Sequence, residues 1–119
     1  MITREEIAKV VLSSLTPKEL SDCVVYLSRT LIPTGQIEFP RIMIDVPRQS
    51  YIAFVDREPM ANWSHSSRYI LVNSETAETK SIEAEYPPFQ SSYGIKWGLL
   101  YKAPSVSNDV VTNVEKNVD

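Results

Sequence analysis

Residues 51–56 (YIAFVD) are the part of this sequence that most constrains the fold. Every residue before Asp56 in this segment is apolar. A short, continuous apolar run is typical of a strand that is buried on both faces of a sheet. We therefore predict a central strand here. The 119 residues of the chain, 43% of them hydrophobic, suffice for one domain with one core.

The first part of the chain carries helical patterns. Thr3 can cap a first helix, with Glu5 and Glu6 in its first turn. Thr16 can cap a second, and Glu19 three residues later completes a capping box. Apolar residues then recur at helical spacing, and the second set comprises Leu20, Cys23, Val24, Leu27 and Leu31. The pattern predicts two helices that form an N-terminal hairpin, the second ending before Gly35.

The pattern after Gly35 is that of strands. Residues 37–46 suggest one edge strand kinked at Pro40, because proline within a strand marks an edge or a bulge. Residues 68–73 and 79–86 suggest an antiparallel hairpin around a five-residue loop, and residues 93–101 suggest a last strand. We expect an α+β fold in which the N-terminal helical hairpin packs on a small, mainly antiparallel sheet of four or five strands.

The domain is predicted to span residues 1–102, followed by a flexible tail, residues 103–119, which has no long apolar face. A single cysteine and a single histidine argue against a disulfide framework and a zinc site. The chain also lacks the glycine-rich motifs that hold phosphate groups. We therefore expect no cofactor and no metal.

The N-terminal sequence MITREEIAKVV is charged and amphipathic, unlike a signal peptide, and no stretch is long and apolar enough to span a membrane. We accordingly expect a cytoplasmic protein without membrane contacts.

Acidic residues exceed basic ones by 15 to 12, and the excess lies in residues 69–90. The basic residues form no cluster, so nucleic acid is not an expected partner. Glu83 and Glu85 lie on the same face of a predicted strand. That face is either a solvated surface or a docking surface for a basic partner.

Residues 57–67 (REPMANWSHSS) form the longest irregular stretch inside the domain. Long loops in compact domains are often functional, and tryptophan and methionine are typical anchors in protein interfaces. Met60, Trp63 and the only histidine, His65, all lie in this loop. In an alternative interpretation, Trp63 folds back to cover the open side of the sheet and His65 is hydrogen-bonded locally.

These patterns favour a small, non-enzymatic protein-binding domain, such as an inhibitor, an immunity protein, an adaptor or a processed substrate. Its predicted partner-binding residues are Met60, Trp63, His65, Glu83 and Glu85, and its partner is another protein. One alternative is an assembly subunit that oligomerises through residues 37–46, and the sequence does not define the oligomeric state.

A less favoured alternative is a small hydrolase that uses Asp56 and His65. The serines flanking His65 are its chain neighbours, and adjacent side chains point apart. We therefore predict no catalytic residues.

Overall fold

The computed structural model describes residues 2–61, 63–89 and 94–108. The helices are α1 (Arg4–Ser13) and α2 (Pro17–Asp22). The strands are β1 (Val24–Ser28), β2 (Gly35–Phe39), β3 (Ile42–Val46), β4 (Ser50–Asp56), β5 (Ser67–Asn73), β6 (Thr79–Ala84) and β7 (Trp97–Lys102). Five strands form an antiparallel sheet in the order β6-β5-β4-β1-β7, and β2 pairs with β3 separately. The α+β class and the mainly antiparallel sheet are confirmed.

Strand β4 lies at the centre of the five-stranded sheet and is buried on both faces, as predicted. Ala53 and Val55 pack in a core cluster with residues of α1. Ile52 and Phe54 pack on the opposite face, in a cluster that includes residues of β2 and β3. The sheet is therefore the middle layer between the helices and the β2–β3 hairpin.

The capping box predicted at Thr16 forms, and Thr3, predicted as a cap, forms a second one. The Thr3 hydroxyl accepts a hydrogen bond from the Glu6 amide, and the Thr16 hydroxyl accepts one from the Glu19 amide. Each glutamate also accepts a bond from the backbone amide of its threonine. These bonds satisfy backbone donors that a helix leaves free at its start.

The prediction of a second helix extending to Leu31 is wrong, because α2 ends at Asp22 and residues 24–28 form strand β1. All five residues of β1 are buried, with Val25 and Leu27 on the helix side and Val24 and Tyr26 on the other. β1 pairs with β4 along one edge and with β7 along the other. This position buries both faces of the segment, whereas a helix would bury only one stripe. The two N-terminal helices are therefore short, and their packing on the sheet as a helical hairpin is not confirmed.

Residues 37–46 form two strands rather than the single kinked strand that was predicted. Pro40 and Arg41 make the turn between β2 and β3, and Arg41 has a φ of 65°, in the left-handed region that tight turns use. The buried side chains of this hairpin cover the second face of the sheet, and they are Ile37, Phe39, Ile44 and Val46.

The β5–β6 hairpin is confirmed, with residues 74–78 as its loop. The last strand begins at Trp97, later than predicted, and residue 93 lies outside the described residues. No helix in the described part of the chain is long and apolar enough to cross a membrane.

The chain continues along the domain after β7. Ala103 is fully buried, and its amide donates to the carbonyl oxygen of Cys23 over 2.9 Å. Val106 is also buried. The domain boundary at residue 102 and the flexible tail stay predictions, and residues 109–119 lie outside the described part of the chain.

Cys23 supplies a test of this packing. Its thiol is fully buried at the end of α2, and burial raises its pKa to about 12. Since the thiolate is the reactive form, we expect no reaction with an aromatic disulfide reagent at neutral pH while the protein is folded. One equivalent should react after unfolding in denaturant. Rapid labelling of the folded protein would contradict the placement of Cys23.

Candidate functional site

The loop between β4 and β5 is closed at its base by hydrogen bonds. Asp56 and Ser67 face each other across the two strands, and the Arg57 amide donates to the Ser66 carbonyl oxygen over 2.9 Å. The Ser66 amide in turn donates to the Glu58 carboxylate over 2.6 Å. These bonds therefore hold the two ends of the loop together where residues 57–61 leave the sheet and residues 63–66 return to it.

Asp56 and His65 form a nearly buried pair at this base. Nδ1 of His65 lies 2.9 and 3.0 Å from the two carboxylate oxygens of Asp56. Burial raises the pKa of Asp56, and the hydrogen bond from His65 opposes this effect without cancelling it. The His65 amide donates to the Glu85 carbonyl oxygen over 2.6 Å, so the pair also attaches the loop to the end of β6.

Two arginines join the loop to the helices and to β6. The Arg57 guanidinium makes a two-pronged contact with the Glu83 carboxylate, at 2.7 and 3.0 Å, and its Nε donates to Glu19 over 2.9 Å. Arg68, at the start of β5, donates to both oxygens of Glu19 and to the Ser14 carbonyl oxygen. These bonds connect α1, α2, the loop and β6.

Glu19 is at the centre of this network, and its side chain is only 4% exposed. Burial by itself would raise the pKa of this carboxyl group. Hydrogen bonds from Arg68, the Thr16 amide and Arg57 outweigh burial and lower the pKa to about 2. The hydrogen bond from Arg57 likewise lowers the pKa of Glu83. Glu19 is therefore an ionised, fully paired group at neutral pH.

The tip of the loop is exposed to solvent. Trp63 is 85% exposed and Met60 is 70% exposed. The alternative in which Trp63 covers the open side of the sheet does not occur, because the β2–β3 hairpin covers that face instead. Aromatic residues and methionine are enriched in protein interfaces relative to the rest of the surface.

The predicted partner-binding residues therefore occupy two different environments. Met60 and Trp63 project into solvent, and Glu85 is exposed at the end of β6. His65 is nearly buried against Asp56, and Glu83 is paired with Arg57. The structure assigns His65 and Glu83 to holding the loop.

A cleft of about 480 Å³ lies beside the loop base. The β2–β3 turn, the loop and the end of β6 form its walls, and His65 and Glu85 line it. Arg41 of the turn sits over the ring of Tyr86 at 5.1 Å. In the described residues, no serine hydroxyl is hydrogen-bonded to the His65 ring, and no group of three or more potential ligands is placed to hold a metal ion.

Glu19, Arg57 and Arg68 are not among the site residues predicted from the sequence. The capping box at Thr16 marked Glu19 only as a helix-start residue. Arg57 and Arg68 flank the loop in sequence, which places two cations at its base. Two arginines at the ends of one loop indicate a buried carboxylate between them. The sequence does not identify that carboxylate, because Glu19 lies 38 residues before Arg57 and 49 residues before Arg68.

Comparison with protein-family models, with curated proteins and with solved structures finds no match for this chain.

The Glu19 network predicts a pH-dependent stability. In the folded protein the pKa of Glu19 is about 2, below its ordinary value of 4.5. The charged form therefore stabilises the fold above about pH 4.5, and this contribution is lost as the pH falls towards 2. Glu19→Gln keeps the capping geometry but removes the charge, and we expect it to lower the free energy of unfolding by about 3 kcal/mol at pH 7.

Urea denaturation, monitored by circular dichroism at a series of decreasing pH values, measures the free energy of unfolding of the Glu19→Gln and wild-type proteins. The gap between Glu19→Gln and the wild type should narrow below about pH 4.5. Glu38→Gln is the matched control, since Glu38 is exposed on β2, and its effect should stay within about 0.5 kcal/mol. A Glu19→Gln protein as stable as the wild type at neutral pH would contradict the role of the network.

Proposed function

We propose that this chain is a non-enzymatic protein-binding domain that contacts its partner through Met60 and Trp63. The observation that carries the proposal is the exposure of Trp63 at the tip of a loop whose base is fixed. Tryptophan is among the residues that most often dominate the binding energy of protein interfaces. The loop thus combines a large apolar anchor with a rigid support.

The rigid support favours binding. Association costs free energy when loops and side chains become ordered, and a loop that is already held in place reduces this cost. In this chain the Arg57–Glu83 contact and the Asp56–His65 pair hold the two ends of the loop. His65 and Glu83 therefore act as positioning residues for Met60 and Trp63.

The charge near the loop favours a basic partner surface. Glu85 is exposed beside the cleft, and its carboxylate accepts no hydrogen bond from the residues that the structure describes. Glu83 contributes less free charge than the sequence suggested, because Arg57 neutralises it. Glu85 is thus the orienting charge of the proposed interface, and complementary charge acts mainly on the association rate.

Affinity capture from the native host, followed by binding measurements with the purified partner, tests the proposal. Trp63→Ala should weaken binding by at least about thirtyfold, the effect of losing about 2 kcal/mol at a hot spot. Met60→Ala should weaken it less. Met43→Ala is the matched control, since Met43 is an exposed methionine outside the loop, 54% exposed on β3, and it should bind like the wild type.

The charge reversal Glu85→Lys should slow association and reduce its salt dependence, whereas Glu78→Lys, in the β5–β6 turn, should not. Circular dichroism and thermal unfolding confirm that each variant is folded. Unchanged partner affinity in a folded Trp63→Ala protein would overturn the proposed site.

The Asp56–His65 pair favours a second candidate function, hydrolysis with His65 as general base. A carboxylate that holds Nδ1 of a histidine orients the ring for proton transfer at Nε2. This candidate predicts that His65→Ala abolishes hydrolysis of some ester, peptide or phosphoester, while Trp63→Ala leaves it intact. Absence of activity in the wild-type protein across such a panel would eliminate it.

A further inference from the structure

The Arg57 guanidinium lies between two carboxylates that differ in burial. Its Nε donates to Oε2 of Glu19 over 2.9 Å, and its two terminal nitrogens donate to the Glu83 carboxylate over 2.7 and 3.0 Å. The Glu19 side chain is 4% exposed, whereas that of Glu83 is 71% exposed. The first residue of the loop is therefore held by one buried and one exposed ion pair.

The exposed ion pair is the weaker of the two attachments. Ion pairs in water contribute little, because water competes for both charges and the paired side chains lose conformational freedom. A buried carboxylate is not solvated in this way, so the loss of a partner from it is costly. Glu19, rather than Glu83, therefore sets the position of the Arg57 side chain.

Glu19 is itself fixed in one orientation. Its Oε1 accepts hydrogen bonds from the Thr16 amide and from Arg68, and its Oε2 accepts one from Arg57 and one from Arg68. These four bonds occupy the acceptor positions that two carboxylate oxygens offer. The carboxylate therefore transmits the position of α2 and of the start of β5 to Arg57.

The backbone of Arg57 is connected to both ends of the loop. Its amide donates to the Ser66 carbonyl oxygen over 2.9 Å, and the Ser66 amide donates to the Glu58 carboxylate over 2.6 Å. The Ala61 amide donates to the Glu58 carbonyl oxygen over 2.9 Å, which closes a turn around Met60. A continuous set of hydrogen bonds therefore runs from Glu19 to the exposed tip.

We propose that Glu19 is a positioning residue for partner binding that acts through Arg57, an inference that rests on the proposed function of the loop. Its buried side chain makes no contact with a partner at Met60 or Trp63. Removal of its charge leaves Arg57 attached only to the exposed Glu83, and the loop then samples more conformations. Binding must order the loop again, which lowers the affinity.

Hydrogen exchange of single amides, followed by nuclear magnetic resonance, tests the effect on the loop without a partner. In Glu19→Gln the glutamine still serves the capping box. We expect the Arg57 and Ser66 amides to exchange at least about tenfold faster than in the wild type, since their bonds open locally. The Asn73 amide, which donates to Glu78 at the other end of β5, should exchange at an unchanged rate.

Glu6→Gln is the matched control. Glu6 has the same position in the capping box of Thr3, and its carboxylate bonds to that threonine. This variant should leave exchange in the loop unchanged. Unaltered exchange of the Arg57 amide in Glu19→Gln would overturn the proposal, and so would equal acceleration in Glu6→Gln.

Arg57→Lys provides a second variant that breaks the same connection from the other side. Lysine keeps the charge, but its single ammonium group does not reproduce the fork that contacts two carboxylates. It should accelerate exchange at Ser66 as Glu19→Gln does, and the two changes together should add little. Glu83→Gln should have a smaller effect than either.

A double-mutant cycle with the purified partner tests the effect on binding. Glu19→Gln should weaken binding at least about fivefold in the wild-type background and leave the affinity unchanged in the Trp63→Ala background, since coupled sites are not additive. A role confined to stability would reduce the folded fraction, and thus the affinity, by a similar factor in both backgrounds. That result would overturn the proposal.

The cycle separates this proposal from the proposed function. Weaker binding by Trp63→Ala, combined with wild-type affinity in both Glu19→Gln and Arg57→Lys, would leave the loop as the partner site and overturn the role of Glu19. Wild-type affinity in a folded Trp63→Ala protein would overturn the partner site and, with it, the role of Glu19 in binding.

Discussion

A single buried carboxylate, that of Glu19, joins the helical layer of this protein to its sheet and to the loop between β4 and β5. Arg68 brings the start of β5 to it, and Arg57 brings the first residue of the loop. A buried carboxylate without these partners would carry a large desolvation cost, so the three side chains must be assembled together. The position of the loop therefore depends on the packing of α1 and α2.

The loop separates the residues that support it from the residues that it presents. Its base carries ion pairs and the nearly buried Asp56–His65 contact, and its tip carries the exposed Met60 and Trp63. Polar groups at the base are satisfied within the protein, which favours a single loop conformation. Apolar groups at the tip have no such partners in the described residues, and their burial against another protein would be favourable.

The elements that local patterns define were predicted well. The capping residues Thr3 and Thr16 marked both helix starts, and the apolar run before Asp56 marked the central strand. The β5–β6 hairpin followed from two strand-like segments on either side of a five-residue polar loop. The error at β1, which was predicted as helix, has a physical cause. Apolar residues at helical spacing between Cys23 and Leu27 also suit a strand buried on both faces, and periodicity does not separate the two. The segment is a strand because β4 and β7 pair with it on either side.

In the candidate site, too, local sequence patterns set some features and contacts between distant segments set the others. The sequence by itself determined that residues 57–67 form a long loop with unusual side chains, because length and residue type are local properties. Only the tertiary structure decided that Trp63 is exposed, that His65 pairs with Asp56, and that Glu83 is neutralised by Arg57. These outcomes depend on contacts between segments distant in the chain, and the energies of such contacts arise only once the layers of the fold have packed together.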